Sequence, residues 1–235
     1  MTIDDLLNST KPIVFETGEE EWPYALSGTC YPLKYNGVLF IVSAFHCYSN
    51  LKIKPENTLY PRPDNPNGFF AFDQQSRAHV EQAKDDEHYD HVVLRVAKSH
   101  HSHDEIDKVT ALDLAVSTNA RQPMSNGIKD FRIRGYPHDA PKHGVNYDLK
   151  KISQQAYNTN GCKGVKKAPF DFCYSLQMMT PIPCGMHPNG MSGTPVYGII
   201  DSHPVYCGTI IKYSKITGEY IVIGPEVLVN GLKGL

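Results

Sequence analysis

The sequence lacks both a long hydrophobic run and a strong excess of one charge. Its longest apolar stretch, from Val38 to Phe45, is interrupted by Ser43 and is much shorter than the ~20 residues that a helix needs to cross a bilayer. The 235 residues carry 23 Lys and Arg against 25 Asp and Glu, a formal net charge of −2. These absences predict a folded protein whose main partner is neither a membrane nor a nucleic acid.

An export signal is also missing from the amino terminus as written. Met1 is followed by Thr-Ile-Asp-Asp-Leu-Leu, which is acidic where a secretory signal has basic residues before a long apolar segment. We therefore expect a cytoplasmic protein.

Neither the cysteines nor the clustered histidines form a recognisable metal motif. The six cysteines are Cys30, Cys47, Cys162, Cys173, Cys184 and Cys207, and no two have the CxxC spacing of structural zinc sites. An even number is compatible with three disulfides, whereas a cytoplasmic protein keeps its thiols reduced, and we favour six free thiols. His100, His101 and His103 lie in a polar stretch that predicts a solvated loop. No metal site is expected.

Short β-rich segments recur from residue 24 onward. The clearest is a hairpin in which Asn36-Gly37 joins residues 31–35 to residues 38–42. Further predicted strands lie at 68–72, 91–96, 131–133, 172–178, 194–200, 205–213 and 219–223. Short strands separated by Gly, Pro, Asn and Asp are typical of a β-sandwich or barrel.

Helical signals are confined to the two ends of the chain. Residues 3–7 follow a candidate cap at Thr2, and residues 225–232 combine Pro in the first turn with an apolar face. The polar segment 98–116 is the predicted connection between two halves. The sequence thus predicts an all-β protein with short N-terminal and C-terminal helices.

Three segments carry the residue types of acyl transfer. His46 follows a predicted buried strand, Asp90 precedes the apolar run Val-Val-Leu, and Ser192 lies in the pentapeptide Gly-Met-Ser-Gly-Thr. A serine hydroxyl is a weak nucleophile at neutral pH, so it needs an imidazole to take its proton and a carboxylate to orient that imidazole. Gly190 and Gly193 permit a tight turn in which the amides of Gly190 and Ser192 can bind an oxyanion. We therefore predict a His-Asp-Ser triad.

Each of these residues also has a structural interpretation. His46 could be a capping or core histidine, Asp90 a turn residue, and Ser192 part of an ordinary Gly-Ser-Gly loop. Their joint occurrence favours catalysis. An α/β-hydrolase is disfavoured because Thr194 stands where its G-x-S-x-G motif has the last glycine, and because its histidine would come last in the chain. His88 and His91 flank Asp90, and strand alternation directs them away from the site.

The three segments closely resemble the chymotrypsin/trypsin-like serine proteases. Residues 42–47 are similar to that family's V-[ST]-A-A-H-C, residues 90–95 to D-I-A-L-[LI]-[RK], and residues 190–196 to G-[DN]-S-G-[GS]-P-[LV]. The resemblance covers about residues 20–235. It implies two six-stranded antiparallel β-barrels, one in residues 1–115 with His46 and Asp90 and one in residues 116–235 with Ser192. It also implies a serine endopeptidase that forms an acyl-enzyme and needs no cofactor.

The sequence departs from the secreted members of that family in two places. Those members carry Asp before the nucleophile, where it receives the amino terminus freed by zymogen cleavage, whereas this chain has Met191. In those members a cysteine near this position forms a disulfide with the cysteine that follows the catalytic histidine, and Cys30 lies a few residues away from that position. The remaining pairs that the resemblance allows are Cys162–Cys173 and Cys184–Cys207. Both departures favour an intracellular, bacterial-type member.

The resemblance also implies where a substrate would lie. The strand after the nucleophile would pair with the substrate backbone by β-strand addition, and the primary pocket would be lined by residues just before the nucleophile. The expected substrate-binding residues are Met186, His187, Gly208, Thr209, Ile210 and Ile211. None is acidic, so we expect an apolar or small side chain in that pocket rather than Lys or Arg. The alternative for His187 is a solvated loop histidine.

Two other functions are compatible with the sequence. One is a catalytically silent recognition module that keeps the barrels and binds a partner without turnover. The other is a protease gated by an activating partner protein, because zymogen-type residues are lacking. The retained triad favours an enzyme that acts on a protein or peptide. Its activity should fall below about pH 6.5, when His46 becomes protonated.

Overall fold

The computed structural model describes most of the chain. The described residues are 1–77, 89–115, 121, 124, 127–128, 130–140, 142, 144–148, 151–180, 182–183 and 187–232. Within them, two curled antiparallel β-sheets account for most of the structure, and helices are few. The predicted all-β fold of two barrels with terminal helices is confirmed.

The first sheet contains eight strands, all from the amino-terminal half. They are β1 (Lys11–Glu16), β2 (Tyr24–Tyr35), β3 (Val38–Ser43), β4 (Thr58–Arg62), β5 (Asn65–Phe70), β6 (Phe72–Arg77), β7 (Val92–Val96) and β8 (Leu112–Asp113). Their order is β5-β4-β1-β2-β3-β7-β6, and the short β8 pairs in parallel with β2. The β2–β3 hairpin is the predicted one. Asn36 and Gly37 have φ of 51° and 71°, the left-handed geometry that favours these two residue types.

The second sheet contains seven strands. The strands of this half are β9 (Phe131–Gly135), β10 (Gly144–Asn146), β11 (Lys151–Ser153), β12 (Tyr157–Asn160), β13 (Cys162–Lys167), β14 (Cys173–Met178), β15 (Pro195–Ile200), β16 (His203–Ser214) and β17 (Glu219–Ile223). The sheet order is β12-β9-β15-β16-β17-β14-β13, and β10 and β11 form a separate pair. Both sheets therefore hold more strands than the six expected in each barrel.

Two of the four helices found in the described residues lie at the predicted ends of the chain. The helices are α1 (Ile3–Ser9), α2 (His46–Ser49), α3 (His103–Asp107) and α4 (Pro225–Leu232). Thr2 and Asp5 form a reciprocal capping box at the start of α1, which confirms the predicted cap. A short 3-10 turn occupies Pro55–Asn57. No helix among the described residues is both long and apolar enough to cross a membrane.

Helix α3 corrects the expectation of a solvated histidine loop in part: His100 and His103 are exposed as expected, but His101 is not. Ser102 and Glu105 form a second capping box, so the chain turns into a helix at His103. The side chain of His101 is only 5% exposed. Its Nε2 accepts the Ala71 N–H at 2.8 Å, and its ring lies 4.9 Å from that of Phe70. The histidine is thus a packing residue.

The two sheets meet across a buried cluster that includes three hydroxyl groups. Tyr31 of β2 donates to Tyr206 of β16 at 2.8 Å. The Thr209 oxygen lies 2.8 Å from that of Tyr31 and 2.7 Å from that of Tyr206. Leu6 of α1 and Leu228 of α4 are buried in the same cluster. Both terminal helices therefore cover the junction between the sheets.

Candidate active site

His46 and Asp90 are brought together by two neighbouring strands. His46 begins α2 just after β3, Asp90 precedes β7, and these strands pair with Ser43 opposite Val92. The Asp90 carboxylate accepts the His46 backbone N–H at 2.8 Å and also a short hydrogen bond from His46 Nδ1. The carboxylate thus fixes the ring through Nδ1 and leaves Nε2 as the nitrogen that can act as a base.

The pKa of His46 depends on two neighbours. Burial lowers it, but the hydrogen bonds to Asp90 and to Cys47 outweigh burial and raise the pKa from 6.5 to about 10. The Cys47 sulfur lies 3.7 Å from Nε2, and its thiol donates to the Ser192 carbonyl oxygen at 3.8 Å. Cys47 therefore stands between the imidazole and the backbone of the nucleophile loop.

The loop that carries Ser192 requires two glycines. Gly190 and Gly193 have φ of 92° and 88°, where other residues are strained. A Cβ on Gly193 would lie 1.9 Å from the Thr29 carbonyl oxygen, and one on Gly190 would lie 2.3 Å from that of Tyr136. The glycines predicted from the sequence are thus needed both for the turn and for close packing against other backbone.

A residue of the first sheet holds this loop in place. Thr29 donates its N–H to the Ser192 carbonyl at 2.8 Å and its hydroxyl to the Gly190 carbonyl at 2.7 Å. The same hydroxyl accepts the Tyr136 N–H at 3.1 Å. Both carbonyls therefore point at Thr29. The backbone N–H groups of Gly190 and Ser192 donate a hydrogen bond to no described group. These two amides are available to bind an oxyanion.

The Ser192 hydroxyl faces the same cavity as the imidazole without being bonded to it. It donates to the Ile211 carbonyl at 3.3 Å, and no hydrogen bond between Ser192 and His46 is present. The cavity has a volume of about 880 Å³ and is lined by Ser192, His46 and Asp90 among others. Hydrogen bonds between catalytic groups are often long or unformed without substrate.

The cavity wall on the second sheet begins at Ile211. Of the four strand residues expected along the cleft, only Ile211 lines the cavity, followed by Lys212 and Tyr213. Thr209 is fully buried at the junction of the sheets. The remaining two strand residues, Gly208 and Ile210, do not line the cavity.

The residues expected just before the nucleophile are described only in part. Met186 lies outside the described residues, as do Cys184 and His88. His187 lines the cavity, and its Nδ1 accepts the Asn189 N–H at 3.1 Å. His187 is thus part of the cavity wall on the nucleophile side.

Met191 occupies an apolar environment. Its side chain is 1% exposed and packs in the core of the second sheet, while Met1 at the amino terminus is 62% exposed. An uncharged and buried side chain therefore stands where a zymogen-type ion pair needs a carboxylate.

Five described cysteines are free thiols. They are Cys30, Cys47, Cys162, Cys173 and Cys207. Cys162 pairs with Met178 and Cys173 with Ile223, so the Cys162–Cys173 disulfide allowed by the resemblance is not formed. Within the described ranges, no three His, Cys, Asp or Glu side chains come together as metal ligands.

Comparison with known proteins identifies the fold. No protein-family model matches the sequence, and no curated protein matches it at the sequence level. A thermostable serine protease, AL20, from an extremophilic microorganism superposes with a TM-score of 0.56 at 11% identity over 98% of both chains. The protease Anisep from Arthrobacter nicotinovorans gives 0.51 at 12% identity, covering 94% of this chain and 91% of its own.

A viral structure has a similar score. It is a structure described in terms of the coupled folding and binding of the intrinsically disordered Sesbania mosaic virus VPg protein. It superposes with a TM-score of 0.51 at 14% identity over 96% of both chains. Identities this low show the fold alone. The chain therefore has the two-barrel fold of the chymotrypsin-like proteases.

Proposed function

We propose that the protein is a serine endopeptidase that cleaves peptide bonds through an acyl-enzyme on Ser192. The observation that carries this proposal is the Asp90-oriented imidazole of His46, which lines one cavity with the Ser192 hydroxyl. In the reaction, Ser192 attacks the scissile carbonyl while His46 takes its proton and then gives it to the leaving amine. Water next attacks the acyl-enzyme with His46 again as the base. No cofactor takes part.

Stabilisation of the tetrahedral intermediate falls to the backbone of the nucleophile loop. The amides of Gly190 and Ser192 are free to donate to the oxyanion, since neither donates to any described group. Ser192 must also turn its hydroxyl from Ile211 towards His46 Nε2. This requires a different rotamer about the Ser192 Cα–Cβ bond.

The substrate backbone would pair with the edge of β16. Pairing between β15 and β16 ends at Thr209, whereas β16 continues to Ser214 with β17 as its one neighbour among the described strands. Residues from Ile211 onward therefore offer an unpaired strand edge along the cavity, and an extended peptide can add to it. With His187, and with Met186 as a further proposed contact, this edge would favour an apolar or small side chain in the primary pocket.

The hydrogen bond from Ser192 to Ile211 also supports a gated enzyme as a second candidate. A substrate or partner peptide that donates to the Ile211 carbonyl would displace the Ser192 hydroxyl and release it for attack. A recognition module without turnover would retain the same strand edge.

We assign His46 and Asp90 to a first domain at 1–115 and Ser192 to a second at 116–235, since the two sheets use residues 11–113 and 131–223.

We also propose that the enzyme works in the cytoplasm and is of the bacterial type. The five free thiols support a reducing compartment. The buried Met191 supports a mechanism without zymogen activation.

A fluorophosphonate probe tests the proposed function. The purified protein is treated with the probe and the labelled peptide is located by mass spectrometry, with Ser192→Ala and His46→Ala as controls. Labelling confined to Ser192 and lost in both variants is expected, because both the nucleophile and its base are needed. A folded protein that cleaves no peptide and takes no label would contradict an enzyme that is active on its own, and would favour either the recognition module or the gated enzyme.

A further inference from the structure

The amino-terminal segment of residues 2–10 is held by the second half of the chain. Arg134 of β9 donates to the Asn8 side chain at 2.8 Å, and the Tyr136 hydroxyl donates to the Thr10 carbonyl at 2.8 Å. Arg134 is also hydrogen-bonded to the Tyr136 hydroxyl. Carbonyls at the end of a helix lack partners within it, and Tyr136 satisfies one that α1 leaves open. The end of α1 is therefore fastened to Tyr136.

Tyr136 is bonded through its backbone to the residue that anchors the nucleophile loop. Its N–H donates to the Thr29 hydroxyl oxygen at 3.1 Å, and that hydroxyl donates to the Gly190 carbonyl at 2.7 Å. A hydroxyl has one proton to donate, so a donor on its oxygen favours the orientation in which that proton points to Gly190. Two residues further on, the His138 N–H donates to the Asn189 carbonyl at 2.7 Å. Residues 136–138 thus support two successive carbonyls of the loop, one through Thr29 and one directly.

These bonds form one continuous path from the amino-terminal segment to the candidate oxyanion site. The path runs from the Thr10 carbonyl through the side chain and backbone of Tyr136 to Thr29, and from there to Gly190. Tyr136 is 1% exposed and does not line the cavity, so it can affect a substrate only through its neighbours. Buried hydrogen-bond networks of this kind rigidify the groups that they connect.

We propose that Tyr136 is a positioning residue, which makes the geometry of the nucleophile loop depend on the docked amino-terminal segment. This inference rests on the proposed function, because it takes the amides of Gly190 and Ser192 as the oxyanion donors. The segment thereby supports the loop from outside, where the buried and uncharged Met191 offers no carboxylate for an ion pair. Displacement of the segment from Tyr136 would lower the activity.

Tyr136→Phe tests this role, because it removes the hydroxyl that binds Thr10 and keeps both the ring and the backbone N–H. Its kcat should fall by roughly three- to tenfold with KM nearly unchanged, since a small displacement misaligns the oxyanion donors. Tyr157→Phe is the matched control. Tyr157 of β12 is also buried, and its hydroxyl donates to the Thr180 carbonyl at 2.7 Å, so the same kind of bond is lost without contact to the loop. Its kcat should stay at the wild-type value.

Thermal melting establishes that both variants are folded. An unchanged kcat in folded Tyr136→Phe, or an equal loss of kcat in the two variants, would overturn the positioning role.

A double variant tests the path itself. If Tyr136 acts through the Thr29 hydroxyl, its effect disappears once that hydroxyl is gone. Thr29→Val combined with Tyr136→Phe should therefore have the same kcat as Thr29→Val alone. Two effects that multiply in the double variant would overturn the path through Thr29.

Hydrogen exchange followed by mass spectrometry reads the loop without relying on catalysis. The amides of Met191 and Gly193 are hydrogen-bonded to backbone carbonyls, so their exchange reports how often the loop opens. Exchange in residues 188–194 should be roughly threefold faster or more in Tyr136→Phe, and unchanged in Tyr157→Phe. Unchanged exchange in Tyr136→Phe would overturn the link, whatever its kcat.

The same proteins separate failure of this link from failure of the enzyme. If the fluorophosphonate labels Ser192 but Tyr136→Phe changes neither kcat nor exchange, the positioning role is overturned and the peptidase stands. If the wild type takes no label and cleaves no peptide, the enzyme that is active on its own fails, and exchange alone decides. Faster exchange in Tyr136→Phe then supports the link between segment and loop, and unchanged exchange overturns it.

Discussion

The hydroxyl of Thr29 links the nucleophile loop to the first sheet. It donates to the Gly190 carbonyl and accepts from the Tyr136 N–H, while the Thr29 amide holds the Ser192 carbonyl. Because these bonds anchor the loop at both Gly190 and Ser192, we expect Thr29 to be a positioning residue for the oxyanion site. Its replacement should then affect the transition state more than substrate binding.

Thr29→Val should lower kcat on the order of 10- to 100-fold with KM nearly unchanged, because a small displacement of the donors misaligns them. Thr29→Ser keeps the hydroxyl and should restore most of the activity. Steady-state kinetics on both variants, with thermal melting as a check on folding, gives the answer. Full kcat in a folded Thr29→Val protein would show that the hydroxyl does not position the loop.

The pH profile should report the environment of His46. Only the neutral imidazole can act as a base, so kcat/KM rises with pH through the pKa of His46. The ordinary value of about 6.5 assumed from the sequence is too low, because Asp90 and Cys47 raise this pKa. The midpoint of the acidic limb should therefore lie above pH 6.5.

Cys47→Ala removes one of these two causes and should move that midpoint to lower pH. Cys162→Ala is the matched control, since Cys162 lies on β13 of the second sheet and does not line the cavity. The measurement is kcat/KM from about pH 5 to pH 10 for the three proteins. A wild-type midpoint at or below 6.5, or one that Cys47→Ala leaves in place, would contradict the effect of the thiol.

At the level of elements, residues with strong local preferences could be placed from the sequence. Asn36-Gly37 identified its hairpin, and Pro225 with an apolar face identified α4 to the residue. Among the several strands that were missed, β12 and β13 have the sequences Tyr-Asn-Thr-Asn and Cys-Lys-Gly-Val-Lys-Lys, which contain residues that rarely favour strands. Their place in the sheet is decided by pairing with β9 and β14, which local sequence does not reveal.

In the candidate site too, local sequence identified some features, while others depend on contacts between distant segments. Motifs around His46, Asp90 and Ser192 indicated three side chains that the structure places around one cavity. Two features depend on contacts between distant segments and could not be predicted. One is the bonding of Thr29 to the loop of Ser192, and the other is the start of the cavity wall at Ile211. The capping box at Ser102 was readable as S-x-x-E and was overlooked.

At the scale of the whole molecule, the junction of the two sheets fixes the geometry of the site. Tyr31 comes from the first sheet and Thr209 from the second, and their hydroxyls are buried and hydrogen-bonded to each other. Thr209 lies only two residues before Ile211 on β16. The terminal helices close over the same cluster through Leu6 and Leu228. Residues from the two ends of the chain thus help to align the sheets that carry His46 and Ser192, and global stability should be coupled to activity.

That stability should depend on pH through His91. Its side chain is fully buried, neither ring nitrogen has a hydrogen-bond partner among the described residues, and burial lowers the pKa from 6.5 to about 3. The folded state therefore keeps His91 neutral, whereas the unfolded state takes up a proton as the pH falls below 6.5. Because the unfolded state binds more protons in this range, the His91 contribution destabilises the fold as pH drops from 6.5 towards 3, by about 1.4 kcal/mol per pH unit at most.

His91→Leu replaces the imidazole with an apolar side chain of similar size and removes this term. The unfolding free energies of variant and wild type are measured by urea denaturation at several pH values. As the pH falls from 6.5 to 4.5, the variant should become more stable relative to the wild type. Other titrating groups, His46 included, are common to both proteins and cancel in that difference. A difference that stays constant over this range would mean that His91 is charged, or solvated, in the folded protein.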